Sequence, residues 1–271
     1  MARRKIASGG TRSPSHSPGP APTSNDEGES SALAPVLEVS AYNPPFTSCA
    51  LVTGGTGFMG SYLVQQLDAV ACALGTRVVY LDVNPPRPDM PLLRRSTFHQ
   101  CSLTDAAAVS RLFERFRPDT VFHCASIIDC RPRPVAQLDT VNVDGTQLII
   151  DLCLKYGAQR LVYTSSIEVT YHDNRCDNVD ETRDYPGKAT QGYQRTKIAA
   201  EQLVLAANNK GDGQLVTCSL RPGHIYGAGD DLFFLAKVGV NFGPQVLPVL
   251  CGNGGAPMSM VRGALHPPQC H

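Results

Sequence analysis

Tyr193 and Lys197 stand four residues apart in Tyr193-Gln194-Arg195-Thr196-Lys197. On a helix that spacing puts both side chains on one face, a turn apart. An ammonium beside a phenol favours the phenolate and lowers its pKa towards working pH, so the pair could pass a proton to or from a carbinol oxygen. Alone, the spacing is common and describes an exposed amphipathic helix equally well. Upstream lies Tyr163-Thr164-Ser165-Ser166-Ile167-Glu168-Val169. A hydroxyl leaving a strand end can hydrogen-bond a substrate oxygen held against a tyrosine, although a Ser-Ser pair by itself is more often a turn. A third stretch, Leu51-Val52-Thr53-Gly54-Gly55-Thr56-Gly57-Phe58-Met59-Gly60, runs from apolar residues into a glycine cluster. It satisfies both Gly55-x-Gly57-x-x-Gly60 and Thr53-Gly54-x-x-Gly57-x-x-Gly60. Gly54 or Gly55 would permit a tight turn, Gly57 would let backbone approach a pyrophosphate, and Gly60 would let a helix pack closely. The amides and dipole at that helix start favour an anion. Asp82 closes a second apolar run 22 residues past Gly60, near the spacing of a ribose-binding carboxylate. Without such an acid, the glycine turn could simply be a turn that binds nothing.

The elements that must carry these residues alternate. The pattern predicts strands at about 50–53, 77–82, 97–101, 120–126, 159–166 and 215–220. It predicts helices at about 57–74, 104–117, 135–156 and 193–209. Repeated β-α units of this length imply an α/β protein, a doubly wound parallel sheet with helices on both faces. In such sheets ligands bind beyond the carboxyl ends of the strands. Asp82, Ala125, Ser126, Ser166 and Pro222 all fall at predicted strand ends, so the fold would gather them.

Composition narrows the class. The 271 residues are 42% hydrophobic, enough for a substantial core, and carry no net charge. Nothing pulls the chain towards nucleic acid or anionic lipid. The ten cysteines show no zinc spacing and no C-x-x-C pair, and read as reduced thiols. His266, Cys270 and His271 read as a frayed terminus, so no metal is expected. No apolar run reaches the length of a membrane span. Residues 1–45 are rich in Ser, Pro and Gly and are expected to be a disordered tail. Arg3-Arg4-Lys5 lacks the amphipathic continuation of a transit peptide, and Ser13-Pro14 and Ser17-Pro18 read as low complexity rather than modification sites.

In order along the chain, the glycine turn, Val141-Asn142-Val143-Asp144-Gly145-Thr146, the Ser166 stretch, Tyr193 with Lys197, and Leu220-Arg221-Pro222-Gly223-His224-Ile225-Tyr226-Gly227 resemble the extended short-chain dehydrogenases/reductases. The wording Tyr-Thr-Ser-Ser-Ile-Glu-Val is similar to the 3β-hydroxysteroid dehydrogenase/isomerase branch. Tyr193 to Lys197 followed by Ala200-Glu201-Gln202 is similar to the family 42E members beside it. The resemblance implies a Rossmann-type domain and oxidation of a secondary alcohol, a 3β-hydroxysteroid, with hydride passing to NAD. It implies Tyr193 as general acid/base, Lys197 as its partner and a ligand of the nicotinamide ribose, Ser166 as the oxygen-orienting hydroxyl, and Asn142 in the cofactor-side network. Gly54, Gly55, Gly57, Phe58, Met59, Gly60, Pro222 and the small residues Cys124, Ala125 and Ser126 would line the cofactor. Asp82 would take the adenosine ribose, favouring NAD over NADP; Arg87 is the local argument for NADP.

Two departures stand out. Cys101-Ser102-Leu103 replaces the usual Gly-Asp before the adenine-lining residue, leaving Ser102 and Leu103 to that task. Beyond Gly227 only 44 residues remain, and the likeness, which covers about 48–261, gives way to an unrelated tail from Arg262. The expected organisation is a tail over 1–45, an NAD-binding domain over 46–227, and an incomplete substrate lobe over 228–271. A chain so shortened would bind NAD but turn steroid over poorly. Sugar-nucleotide epimerisation or dehydration, or a cofactor-binding pseudoenzyme, are the alternatives. The expected partner is a small molecule, with no nucleic acid; a homodimer is left open. The expected location is cytoplasmic, while full-length relatives with a C-terminal apolar anchor would sit at the endoplasmic reticulum membrane.

Overall fold

A computed structural model describes residues 46–128, 135–171, 181–182, 184–187, 192–211, 215–223 and 225. The chain divides into units Met1–Tyr42 and Asn43–His271, and every described residue lies in the second. The expected tail over 1–45 and lobe over 228–271 fall outside the described residues.

The strands are β1 (Cys49–Thr53), β2 (Arg77–Asp82), β3 (Ser96–Gln100), β4 (Thr120–His123), β5 (Arg160–Thr164) and β6 (Val216–Leu220). All pair in parallel, in the order β3-β2-β1-β4-β5-β6. The chain fills one half of the sheet outward from β1 and then crosses back to fill the other. The carboxyl ends of β1 and β4 therefore diverge into a crevice, where ligands bind in sheets of this order. This is the doubly wound Rossmann-type sheet expected from the sequence.

Alternating side chains on each strand enter one of two cores. Leu51, Val79, Leu81, Val121, Leu161 and Tyr163 pack on one face with residues of α2 (Ala106–Phe116), α4 (Gly145–Tyr156) and α5 (Gly192–Ala206). Ala50, Val52, Val78 and Tyr80 pack on the other with Val64, Leu67 and Ala71 of α1 (Phe58–Leu74). Burial on both faces is why these strands read as continuous apolar runs.

Two elements depart from expectation. β4 stops at His123 rather than 126, because the chain leaves the sheet: the Ala125 amide donates to the Thr53 hydroxyl (3.2 Å) and the Ile127 amide to Asn142 Oδ1 (2.7 Å). The helix expected over 135–156 is not one regular helix. It runs as α3 (Val135–Asp139), a π-helical turn over Thr140–Asp144, then α4. The Gly145 amide reaches back five residues to the Thr140 carbonyl. Asn142 sits at the middle of this turn, and π turns of this kind recur at functional sites.

Candidate active site

The turn after β1 is built from the glycines inward. Gly54 has φ +67°, and a Cβ there would lie 2.7 Å from the Ala125 backbone. Of the two candidates, Gly54 is therefore the residue that permits the turn. A Cβ on Gly60 would fall on the Gly54 carbonyl oxygen, so the first turn of α1 closes directly over the glycine turn. α1 starts after Gly57 with no side chain capping its first amides. Those amides face the crevice and suit an anionic group.

A cleft of about 1000 Å³ opens here. Gly54, Gly57, Phe58, Met59 and Gly60 line its floor; Asp82, Ser102 and Leu103 lie at one end; Cys124, Ala125 and Ser126 form the middle; Ser166, Tyr193, Lys197 and Pro222 close the other end. Two expected site residues are not on its wall. Gly55 is tucked under Tyr80, where a Cβ would meet the ring at 2.8 Å, and its amide donates to the Leu81 carbonyl (3.1 Å). Asn142 lies behind the wall. Its Oδ1 accepts from the Ile127 amide and its Nδ2 donates to the Ile127 carbonyl (3.0 Å) and Thr196 Oγ1 (3.1 Å). It shapes the segment after β4 rather than touching the cleft.

Asp82 ends β2 with its carboxylate held by the Thr56 amide (3.2 Å) and the Asn84 amide (3.0 Å). Arg87 is ion-paired with Asp89 and is not a lining residue. Ser102 Oγ pairs with Thr104 Oγ1 at 2.8 Å, fixing the turn that presents Leu103.

At the other end, Lys197 is 1% exposed, and its Nζ donates to the Thr164 carbonyl (2.7 Å) and the Tyr163 hydroxyl (3.2 Å). It lies 5.9 Å from the centre of the Tyr193 ring. Burial pulls its pKa down to about 8, against the opposing influence of Cys124 and Glu201. Ser166 caps the short 3₁₀ turn Ile167–Thr170: its Oγ accepts from the Glu168 amide (3.2 Å), leaving the hydroxyl proton available for donation. Gln194, beside Tyr193, fixes this turn by donating to the carbonyls of Glu168 (2.8 Å) and Tyr171 (2.9 Å).

Sequence reading missed the polar residues behind the wall: Thr53, His123, Thr146 and Thr196. All four are at most 1% exposed. Thr53 and His123 close largely apolar strands, and a buried polar side chain in such a run demands a partner; Thr146 and Thr196 sit among polar neighbours and carry no such mark. That was the one available signal, and it does not name the partner. Among the described residues no cluster of His, Cys, Asp or Glu could hold a metal, and no helix is long and apolar enough to cross a membrane. The six described cysteines are all free thiols.

The model of the 3-beta hydroxysteroid dehydrogenase/isomerase family matches residues 51–242. Sterol-4-alpha-carboxylate 3-dehydrogenase, decarboxylating, of Saccharomyces cerevisiae is 33% identical over 197 residues, covering 66% of this chain and 52% of that protein. Short-chain dehydrogenase/reductase family 42E member 1 of Danio rerio is 36% identical over 191 residues, covering 66% and 46%. The chain thus spans about half the length of the curated relatives it matches. Among solved structures, the UDP-glucose 4-epimerase of Thermus thermophilus in complex with NAD is similar at 27% identity and a TM-score of 0.60, over 74% of this chain and 63% of that one.

Proposed function

The chain belongs to the 3-beta hydroxysteroid dehydrogenase/isomerase family, and from that premise we propose that it is an NAD-dependent oxidoreductase of a secondary alcohol, a 3β-hydroxysterol. One observation carries this reading: a glycine turn with open helix amides, the carboxylate that closes β2, and a Tyr/Lys/Ser group all line one cleft. The uncapped start of α1 and the glycine turn both line the cleft, and this arrangement suits the pyrophosphate of a dinucleotide. In this reading the α1 amides hold the pyrophosphate, Asp82 takes the adenosine ribose hydroxyls, and Ser102 and Leu103 border the adenine. Residues 46–227 then form the cofactor domain.

NAD bound there would accept the hydride from the carbinol carbon. Tyr193, as phenolate, takes the hydroxyl proton, so that alcohol and NAD⁺ become ketone, NADH and a proton. Ser166 donates to the same oxygen and fixes its position against the tyrosine. The Lys197 ammonium stabilises negative charge on the phenol oxygen and is itself held by Thr164 and Tyr163. Apolar residues Ile127, Ile128, Val141, Ile167 and Ile225 line the cleft and suit a sterol face.

A second reading, sugar-nucleotide epimerisation, draws on the likeness to the Thermus epimerase; there the hydride would return to the same carbon and no net NADH would form. The deciding experiment is NAD calorimetry on the full chain, with steroids and nucleotide sugars screened for NADH formation and for epimer formation, beside Tyr193→Phe. We expect NAD binding, steroid-dependent NADH that forms only slowly, as anticipated for this chain, and loss of that turnover in Tyr193→Phe with similar NAD affinity. Absence of NAD binding, or retained turnover in Tyr193→Phe, would defeat the assignment.

A further inference from the structure

His123 ends β4 and is fully buried, off the cleft wall. Its Nδ1 is 2.6 Å from Thr53 Oγ1 and its Nε2 is 2.9 Å from Thr146 Oγ1. The direction of each bond follows from the neighbours. The Thr146 hydroxyl donates its proton to the Asn142 carbonyl (2.7 Å), so it accepts from Nε2–H. Nδ1 is then without a proton and accepts from the Thr53 hydroxyl, whose oxygen accepts in turn from the Ala125 amide. On the far side, the Asn142 side chain donates to Thr196 Oγ1, and Thr196 donates to the Tyr193 carbonyl (2.8 Å).

We propose that His123 is a positioning residue: as the Nε2–H imidazole it joins the glycine turn, through Thr53, to the π turn and the Tyr193 helix, through Thr146 and Asn142, and so fixes the cofactor cradle relative to the acid/base. The chain of bonds has one polarity from the Ala125 amide to the Asn142 carbonyl, and none of Thr53, His123, Thr146 or Asn142 lines the cleft. A protonated ring could not accept from Thr53, so the relay requires the neutral imidazole. Burial, with the Lys197 charge beside it, pulls the His123 pKa down to about 3, which keeps the ring neutral at working pH. Thr53, Thr146 and Asn142 are uncharged; the Tyr163 ring, 5.5 Å from the imidazole, is held as a neutral phenol by burial; and among the described residues Lys197 is the charged group that faces it.

The functional half of the proposal rests on the NAD reading, so the test has an arm that needs no cofactor. ¹⁵N NMR of the histidines in the parent chain should show one imidazole in the Nε2–H form with no titration between pH 5 and 8. That signal should vanish in His123→Phe. A ring that titrates near its ordinary value, or an Nδ1–H form, overturns the relay. Thr146→Val keeps the shape and removes the acceptor; Thr146→Ser restores it. In the cofactor-free chain, the amide resonances of Gly57 and Gly60 should shift in Thr146→Val and return in Thr146→Ser, although residue 146 is outside the cleft. With NAD, Thr146→Val should lose roughly five- to ten-fold in affinity, the effect of one buried hydrogen bond, and Thr146→Ser should recover it. A Val variant that melts earlier but keeps the glycine resonances and the NAD affinity of the parent would make the threonine a packing residue only and overturn the proposal. Absence of NAD binding in the parent would defeat the cofactor assignment alone, and the tautomer and glycine resonances would still decide the relay.

Discussion

Lys197 carries its charge where charge is costly. Its folded pKa of about 8 lies below the ordinary 10.5, and burial is the main cause. The sign of the resulting pH effect follows from proton counting. Below pH 8 both folded and unfolded chains hold the proton, and folding bears the full cost of burying it. Between about 8 and 10.5 the unfolded chain holds more protons, so stability rises with pH. The whole shift is worth on the order of 3 kcal/mol. Lys197→Met should remove this rise. The measurement is the unfolding free energy of parent and variant in urea from pH 7 to 10.5; a difference that does not change with pH would refute the buried ammonium. A second residue-scale expectation concerns Asp82. A 2′-phosphate would meet its charge, so NAD should bind more tightly than NADP, and Asp82→Ala should narrow the gap by roughly ten-fold. Paired dissociation constants decide it, and tighter NADP binding by the parent would sink the idea. Both residues were legible in the sequence because their signals are local: Tyr193 and Lys197 sit one helical turn apart, and Asp82 closes a strand. His123 was not legible, because its partners lie 70 residues before it and 23 after it. No periodicity connects them until the sheet is assembled.

The elements explain which parts of the site could be anticipated. Apolar runs and glycines set β1, the turn and α1, and the parallel order followed from the alternation of strands and helices. The π turn over Thr140–Asp144 left no mark on the pattern, since one extra residue disturbs the 3.6 period without requiring a particular residue type. Its effect is nonetheless specific: it turns Asn142 towards Ile127 and away from the cleft wall. Assigning Gly55 to the cofactor had a similar origin. Two overlapping glycine patterns fit the same stretch, and only the backbone separates Gly54, with φ +67°, from Gly55 under Tyr80. Gly60 gives the sharper element-scale test. α1 starts against the Gly54 carbonyl, so Gly60→Ala must push the helix off the turn. Overpacking of this kind costs about 1–3 kcal/mol. We expect a lower melting midpoint and a loss of NAD affinity together, read by thermal unfolding and calorimetry. A Gly60→Ala chain that binds NAD like the parent would mean the helix start is not the phosphate cradle.

Across the whole molecule, three buried carboxylates tie neighbouring parts of the sheet together. Asp68 of α1 accepts from the amides of Arg94 and Arg95 and from Ser96 Oγ, anchoring the approach to β3. Asp119 accepts from the amides and hydroxyls of Thr47 and Ser48 at the start of β1. Glu201 of α5 accepts from Tyr185, Ser219 and Arg221 at the end of β6. Burial alone would raise all three pKa values, but the hydrogen bonds outweigh it, with Arg221 adding its charge at Glu201, and all three are lowered. Groups depressed in the folded state contribute stability that is complete above their unfolded values, about pH 4, and is lost as pH falls through the folded values. Acid unfolding should therefore begin below about pH 4, and Asp119→Asn should flatten its slope. The Glu201–Arg221 pair permits a stricter test, because its two side chains are 1% and 12% exposed. Removing one partner strands the other charge in the interior, which costs about 3–5 kcal/mol, whereas replacing both with apolar residues of similar size is often neutral. Glu201→Leu and Arg221→Met should each destabilise strongly in urea unfolding, and the double variant should recover most of the loss. Additive single effects would show that the two charges act independently, and would refute the view that each is tolerated in the interior only because the other neutralises it.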